Sequence, residues 1–125
     1  MLIVYDSLTG NVQRFVNKLD KHKKIKITDD LIVNEPFILI TYTTGFGEVP
    51  KSVMIFLQKN SQFLKGVAAS GNKVWGDYYT KSAITISKEF NVPILLRFEL
   101  SGTQTDVNKF LQEVENIERS LTKLD

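Results

Sequence analysis

Hydroxyl and glycine residues are concentrated in one stretch, residues 41–50, between an apolar run and a helical pattern. Within it Gly45 and Gly47 flank Phe46, so the backbone has few steric limits and can approach a flat ligand closely. A peptide with this freedom can present its carbonyl or its amide to a ring nitrogen that gains a proton on reduction, although Phe46 could instead anchor the core. The stretch predicts contacts with the reactive edge of a planar redox ring by Tyr42, Thr43, Thr44, Gly45, Phe46 and Gly47.

A second polar stretch, residues 7–12, separates the apolar run 2–5 from another helical pattern. Helix N-termini present unpaired amides and a partial positive charge, so they hold phosphate, and Gly10 lets the backbone close in. The alternative is an ordinary capped helix start. The stretch is neither a P-loop nor a three-glycine dinucleotide fingerprint. The candidate phosphate contacts are Ser7, Leu8, Thr9, Gly10, Asn11 and Val12.

The only tryptophan, Trp75, lies in a third turn-rich stretch, residues 71–77. A ring at this place could stack on a planar ligand, which adds about 0.5–1.5 kcal/mol beyond area burial. Asn72 could bond the polar edge of that ligand. Trp75 could alternatively close the core under a loop, and Asp77 is better suited to cap the next helix than to act as a catalytic acid. The candidate contacts here are Gly71, Asn72, Trp75, Gly76 and Asp77.

Apolar runs and helical periodicities alternate along the chain and define the elements that must position these stretches. Strands are predicted at residues 2–5, 24–28, 37–42, 66–70 and 93–100. Helices are predicted after the first, third, fourth and fifth strands, with Thr103 or Thr105 as the cap of the last. Their apolar faces are Val12, Phe15, Val16 and Leu19; Val53, Phe56, Leu57 and Leu64; Ala83, Ile86 and Phe90; and Val107, Phe110, Leu111, Val114, Ile117, Leu121 and Leu124.

This alternation predicts one α/β domain over residues 1–125, with a five-stranded parallel sheet between two layers of helices. Right-handed crossovers and this length fit a flavodoxin-like three-layer sandwich of strand order 2-1-3-4-5. In such a sheet ligands bind outside the carboxyl ends of the strands. The three glycine-bearing loops follow strands one, three and four, so they must meet at the same edge. A phosphate, a protonatable ring and a stacking platform together predict a phosphorylated flavin, the class of cofactor to which flavin mononucleotide (FMN) belongs.

Four segments together carry a resemblance to a known family: residues 7–15 (Ser-Leu-Thr-Gly-Asn-Val-Gln-Arg-Phe), 41–50, 69–76 and 97–104. They resemble the NrdI family, small flavodoxin-like FMN proteins of class Ib ribonucleotide reductase systems, and the likeness covers nearly the whole chain. The resemblance implies that the first segment holds the FMN phosphate, the second lies near flavin N5 and the third supplies a ring platform. It assigns no flavin contact to the fourth. The chain departs from ordinary flavodoxins at Val12, where they have a last hydroxyl.

The resemblance also implies a function in which the flavin does the chemistry and no side chain is catalytic. The reduced flavin would react with molecular oxygen and supply superoxide or a related oxidant to the dimanganese subunit of class Ib ribonucleotide reductase. That oxidant would help to assemble the tyrosyl radical cofactor, and a separate electron donor would reduce the flavin. The protein would thus be a redox activator rather than a stand-alone metabolic enzyme.

Two other functions fit the same fold. A general electron-transfer flavodoxin serving another reductase would share the site and differ in partner and potential. A phosphoacceptor signalling domain needs an aspartate at the end of strand three and a lysine at the end of strand five. The chain has Thr41 and Glu99-Leu100 at those places.

Composition restricts the chemistry and the partners. There is no cysteine and one histidine, His22, in the polar run 20–24, so thiolate chemistry is excluded and no metal site or histidine triad is expected. A net charge of +2, from 16 basic and 14 acidic residues, is too balanced to indicate nucleic acid. No apolar run approaches membrane-spanning length, and Met1 is followed at once by strand-like residues. We therefore expect no membrane partner, no signal peptide and a cytoplasmic location.

Overall fold

The computed structural model describes residues 1–123 as one five-stranded sheet with four α-helices. All strand pairs are parallel, in the order β2-β1-β3-β4-β5, which confirms the predicted fold. The strands are β1 (Leu2–Tyr5), β2 (Lys24–Lys26), β3 (Phe37–Tyr42), β4 (Leu64–Gly71) and β5 (Ile94–Glu99). The helices are α1 (Asn11–Val16), α2 (Lys51–Asn60), α3 (Lys81–Phe90) and α4 (Gln104–Lys123). Short 3-10 segments occupy Ser61–Phe63 and Lys73–Tyr78.

The central strands are buried on both faces because helices cover the sheet from each side. Along β1, Ile3 and Tyr5 face a core built with α1 and α4. Leu2 and Val4 face the opposite core, built with α2 and α3. This strict alternation fixes the register, since a slip of one residue would exchange the two apolar sets.

Two of the predicted helical faces include a residue that lies beyond the observed end of the helix. Helix α1 ends at Val16. Leu19 is buried but belongs to the turn that follows, where its amide donates to the Val16 carbonyl at 3.0 Å. Leu64 is the first residue of β4 rather than part of α2. Helix α2 ends at Asn60, whose side-chain amide donates to the Phe56 carbonyl at 2.9 Å and so satisfies a free carbonyl of the last turn. Strand β2 is also shorter than predicted, because it ends at Lys26.

Of the two caps predicted for helix α4, Thr103 and Thr105, the structure has the first. The Thr103 hydroxyl accepts a hydrogen bond from the Asp106 amide at 3.1 Å, and Asp106 accepts one from the Thr103 amide at 2.8 Å. This reciprocal pair satisfies amide donors that the helix cannot satisfy itself. Val107, Phe110 and Val114 are buried as predicted, and Leu124 lies outside the described residues. Within residues 1–123 no helix combines the length and the apolar character needed to cross a membrane.

Candidate functional site

A cavity of about 370 Å³ opens at the carboxyl ends of β1, β3 and β4. This volume lies within the usual range of small-molecule pockets, about 300–1,000 Å³. The three loops predicted to converge do meet here, although they are far apart in the chain. The lining residues are Ser7, Leu8, Thr9, Asn11, Val12, Tyr42, Thr43, Thr44, Gly45, Ser70, Gly71, Asn72, Trp75 and Leu100.

The loop after β1 places the start of α1 at this cavity. Gly10 has a φ of 92°, a left-handed conformation that favours glycine, and leads directly into α1 at Asn11. The first amides of a helix have no partner within that helix. Of these, the Gln13 amide donates to the Ser7 hydroxyl at 3.2 Å. Asn11 and Val12, whose amides have no acceptor within the helix, both line the cavity.

The loop after β3 is a tight turn closed by backbone hydrogen bonds. The Thr44 amide donates to the Glu48 carbonyl at 3.0 Å, and the Glu48 amide donates to the Thr44 carbonyl at 2.7 Å. Gly45 and Gly47 between them have φ values of 50° and 91°. Both positions therefore need the conformational freedom of glycine, as the turn requires.

Phe46 lies at the tip of this turn and is 75% exposed, so the alternative that it anchors the core is wrong. Its ring meets the Tyr78 ring edge to face, with centroids 5.9 Å apart. A Cβ at Gly47 would lie 2.8 Å from Lys81 Cδ and 3.1 Å from Tyr78 Cδ1. The turn is thus pressed against the start of α3 and the 3-10 segment before it.

Tyr42 lines the cavity beside a half-buried acid. The Asp6 carboxylate accepts hydrogen bonds from the Ser52 hydroxyl and, at 2.9 Å, from the Ser7 amide. Burial raises the pKa of Tyr42 above its ordinary value, the nearby Asp6 charge raises it further, and a hydrogen bond with Ser52 partly opposes both. Tyr42 therefore stays a neutral phenol at physiological pH and can donate a hydrogen bond.

The next residue, Thr43, lines the cavity and connects it to α3 by a hydrogen bond. Its buried hydroxyl lies 2.8 Å from the Ser82 hydroxyl and donates to the Ser70 carbonyl at 3.4 Å. Both hydroxyls are therefore satisfied away from solvent, which avoids the cost of an unpaired buried polar group.

The loop after β4 begins with an Asn72 side chain that accepts a hydrogen bond from the Val74 amide at 3.1 Å. Trp75 lines the cavity and is 43% exposed, so it does not close the core under the loop. Gly76 breaks the 3-10 segment with a φ of 56°. Asp77 does not cap α3, because the residue that precedes this helix is Thr80, with a φ of 50°. The Thr80 hydroxyl instead accepts a hydrogen bond from Arg97 Nε at 2.7 Å.

The cavity lining differs from the predicted contact set at several positions. Predicted residues that lie in the three loops but outside the lining are Gly10, Phe46, Gly47, Gly76 and Asp77. Ser70 and Leu100 line the cavity but were not predicted as contacts. Ser70 is the last polar residue of the fourth strand, which was a usable signal. Leu100 lies in the segment 97–104, whose sequence gave no indication of a ligand contact.

The strand order and a cavity at the carboxyl edge of the sheet define a flavodoxin-like protein. Two solved structures share this fold. The TIGR4 flavodoxin of Streptococcus pneumoniae has a TM-score of 0.72 at 22% identity, over 95% of this chain and 97% of that one. A Fusobacterium nucleatum flavodoxin bound to flavin mononucleotide has a TM-score of 0.62 at 15% identity, over 95% of this chain and 96% of that one.

Sequence comparison gives the family within that class. The family described as "NrdI Flavodoxin like" matches residues 3–112. The protein NrdI of Bacillus licheniformis is 59% identical over 124 residues, which cover 98% of this chain and 95% of that protein. The chain therefore belongs to the NrdI family, as the resemblance in its motifs predicted.

Proposed function

We propose that this protein binds FMN in the cavity and serves as a redox accessory protein of class Ib ribonucleotide reductase. The cofactor, when bound and reduced, would pass electrons to molecular oxygen and so supply superoxide or a related oxidant for assembly of the dimanganese-tyrosyl radical cofactor. The observation that supports this proposal most strongly is the meeting of three loops around one cavity in a chain of the NrdI family.

The lining residues fit a phosphorylated planar ring. At one end, the amides of Asn11 and Val12 and the hydroxyls of Ser7 and Thr9 are the donors that a phosphate needs. At the other end, Trp75 offers a ring face for stacking. The protein would therefore bind the two ends of FMN with different loops.

The turn at Gly45 would handle the proton that accompanies reduction. Its left-handed glycines allow a peptide either to accept a hydrogen bond through its carbonyl or to donate one through its amide. Tyr42, held as a neutral phenol, is a second donor on the same side of the cavity. These groups would stabilise the ring without any side chain acting as a catalytic acid or base.

The mouth of the cavity carries an exposed apolar rim. Most of the large apolar side chains that are exposed in residues 1–123 lie in these loops or directly after β5. Clusters of this kind mark surfaces that associate with other proteins. The rim supports docking of the dimanganese subunit directly over the cofactor, which would shorten the path of a reactive oxidant. The rim residues are Leu8, Phe46, Val74, Trp75, Tyr78 and Leu100.

A reconstitution experiment tests the proposal. The purified protein should take up FMN and turn yellow, and heating should release FMN rather than FAD. The reduced protein is then mixed rapidly with oxygen and the manganese-loaded radical subunit, and the tyrosyl radical is measured by electron paramagnetic resonance. Free reduced FMN at the same concentration is the control, and a radical yield no greater than this control would contradict the role.

Rim variants test the docking part of the proposal. Phe46→Ala should lower the radical yield at limiting protein concentration, because it removes an exposed apolar contact. Ile32→Ala is the matched control, since Ile32 is also exposed but adjoins Val33, whose amide binds Asn60 at the far end of α2. Equal yields from both variants would argue against docking through the rim. A slow reaction with oxygen, combined with rapid one-electron exchange, would instead favour a general electron-transfer flavodoxin.

A further inference from the structure

Three side chains form a closed hydrogen-bonded triangle between the first loop and the turn after β5. Arg14 Nε donates to the Ser101 hydroxyl at 2.8 Å, and Arg14 Nη2 donates to Asn11 Oδ1 at 2.7 Å. The Ser101 hydroxyl donates in turn to Asn11 Oδ1 at 2.8 Å. Because Asn11 lines the cavity, the triangle connects the cavity wall to the turn after β5.

The guanidinium of this triangle keeps its charge uncompensated. Among residues 1–123 the ion pairs are Met1 with Glu118 and Arg119 with Glu115, so Arg14 has no carboxylate partner in the described chain. Its two hydrogen-bond acceptors are neutral. The third nitrogen, Nη1, lies 2.8 Å from the position that a Cβ at Gly10 would occupy. The positive charge is therefore held directly against the backbone of the first loop.

We propose that Arg14 supplies the positive charge that balances a flavin phosphate bound at the first loop, and that Ser101 positions Arg14. The site would then select FMN over riboflavin, which has the same ring but no phosphate. This inference rests on the proposed FMN function and deepens it. A rigidly held guanidinium stabilises a phosphate by charge-assisted interaction and by fixing the neighbouring hydrogen-bonding groups. It would also compensate for the absence of a hydroxyl at Val12 in this chain.

The selectivity between two ligands distinguishes this role from a purely structural one. Both hydrogen bonds that Arg14 donates are solvent-exposed, so variants of Arg14 should keep the fold. A variant that only loosened the protein would weaken FMN and riboflavin alike, because both carry the same ring. Loss of the counter-charge would weaken FMN alone, because riboflavin has no phosphate.

The experiment compares the dissociation constants of FMN and riboflavin for apoprotein variants, measured by quenching of flavin fluorescence. Arg14→Gln should weaken FMN binding about tenfold or more and change riboflavin binding less than about twofold. Arg14→Lys keeps the positive charge without the bidentate geometry, so its affinity for FMN should lie between those of the wild type and Arg14→Gln. Arg119→Gln, which removes an exposed arginine on α4, should leave both constants unchanged.

Salt and a second variant make the test stricter. FMN affinity should fall as ionic strength rises in the wild type and less steeply in Arg14→Gln, because the screened charge is gone. Ser101→Ala should weaken FMN binding selectively by a smaller factor, and its effect should be smaller still in the Arg14→Gln background. Equal loss of both ligands, or unchanged FMN binding in Arg14→Gln, would overturn the inference. A wild-type protein that binds neither flavin would instead overturn the proposed function itself.

Discussion

The hydroxyl of Ser70 donates a hydrogen bond of 2.5 Å to the carbonyl of Leu100, and so joins the end of β4 to the turn after β5. The Leu100 amide donates to the Gly71 carbonyl at 2.9 Å. Between these two bonds Leu100 has a φ of 53°, which is unusual for a residue with a side chain. Leu100 therefore lines the cavity with a strained backbone conformation, which the two hydrogen bonds maintain.

Substitutions at Leu100 should separate this strain from ligand contact. Leu100→Gly and Leu100→Ala both remove the apolar side chain, and both should weaken FMN binding to a similar degree. Glycine tolerates the left-handed conformation, so the glycine variant should be more stable than the alanine variant by about 1 kcal/mol. Urea unfolding of the apoproteins measures this difference. Equal stability of the two variants would mean that the turn relaxes once the leucine is removed.

Gly102 should be intolerant of any side chain. The Phe15 and Phe98 rings stack with centroids 4.2 Å apart, and a Cβ at Gly102 would lie 2.8 Å from Phe15. Its φ of 72° adds backbone strain. Gly102→Ala should therefore lower the free energy of unfolding by about 2 kcal/mol or more.

Gly76→Ala is the matched control for that variant. Gly76 also has a positive φ, but apart from its two chain neighbours no residue of the described chain has a heavy atom within 4 Å of a Cβ at this position. The control should lose only the cost of backbone strain, about 1–3 kcal/mol, because a φ of 56° with a ψ of −120° is a conformation that few residues other than glycine adopt. Thermal or urea unfolding of both variants gives the comparison, and a smaller loss in Gly102→Ala than in the control would show that the crowding at Phe15 is easily relieved.

Trp75 is the only tryptophan, so it reports directly on the cavity. Added FMN should quench its fluorescence with a stoichiometry of one. Trp75→Ala should weaken FMN binding by about 1–3 kcal/mol, the usual contribution of one ring stacking on another, and Trp75→Phe should recover part of this. Ile32→Ala serves again as the control. Full affinity in Trp75→Ala would exclude stacking at this position.

The Tyr42 phenol should titrate above the ordinary pKa of 10.0, because burial and the Asp6 charge both disfavour the phenolate. Asp6→Asn should lower the pKa of Tyr42, and Ser52→Ala should raise it, since the hydrogen bond from Ser52 favours the charged form. The phenolate absorbance of each protein, minus that of the matching Tyr42→Phe variant, isolates this residue. An unchanged titration in Asp6→Asn would contradict the assignment.

The same pKa shift predicts a loss of stability in alkali. The folded protein binds the Tyr42 proton more tightly than the unfolded chain does. Its contribution is therefore complete below the unfolded pKa of about 10 and is lost as pH rises through the raised folded pKa. Tyr42→Phe should lose less free energy of unfolding over this range. Part of the loss should persist, because burial also raises the pKa of Tyr79.

The sheet and its order could be predicted because the apolar runs are short, continuous and separated by helical periodicities. The end of α1 could not be predicted, because Leu19 lies in a turn after the helix and is nevertheless buried at a position that fits the apolar spacing of a helix. The role of Asp77 was misjudged because a tertiary bond from Arg97 fixes Thr80 as the residue before α3. Such bonds leave no periodic signal in the sequence.

The three loops of the site could be predicted because each follows a strand at the same edge of the sheet. Leu100 could not, because its position depends on the hydrogen bonds that join β5 to β4. The coupling of Arg14 to Ser101 is equally invisible in the sequence, since the two residues are brought together only by the fold.

Strand β2, at one margin of the sheet, is three residues long and has a lysine at each end. A strand this short and this charged is a poor template for the addition of a strand from another molecule. Self-association by sheet extension is therefore disfavoured there, at the margin away from β5. The exposed apolar rim around the cavity can therefore coexist with a sheet margin that resists polymerisation.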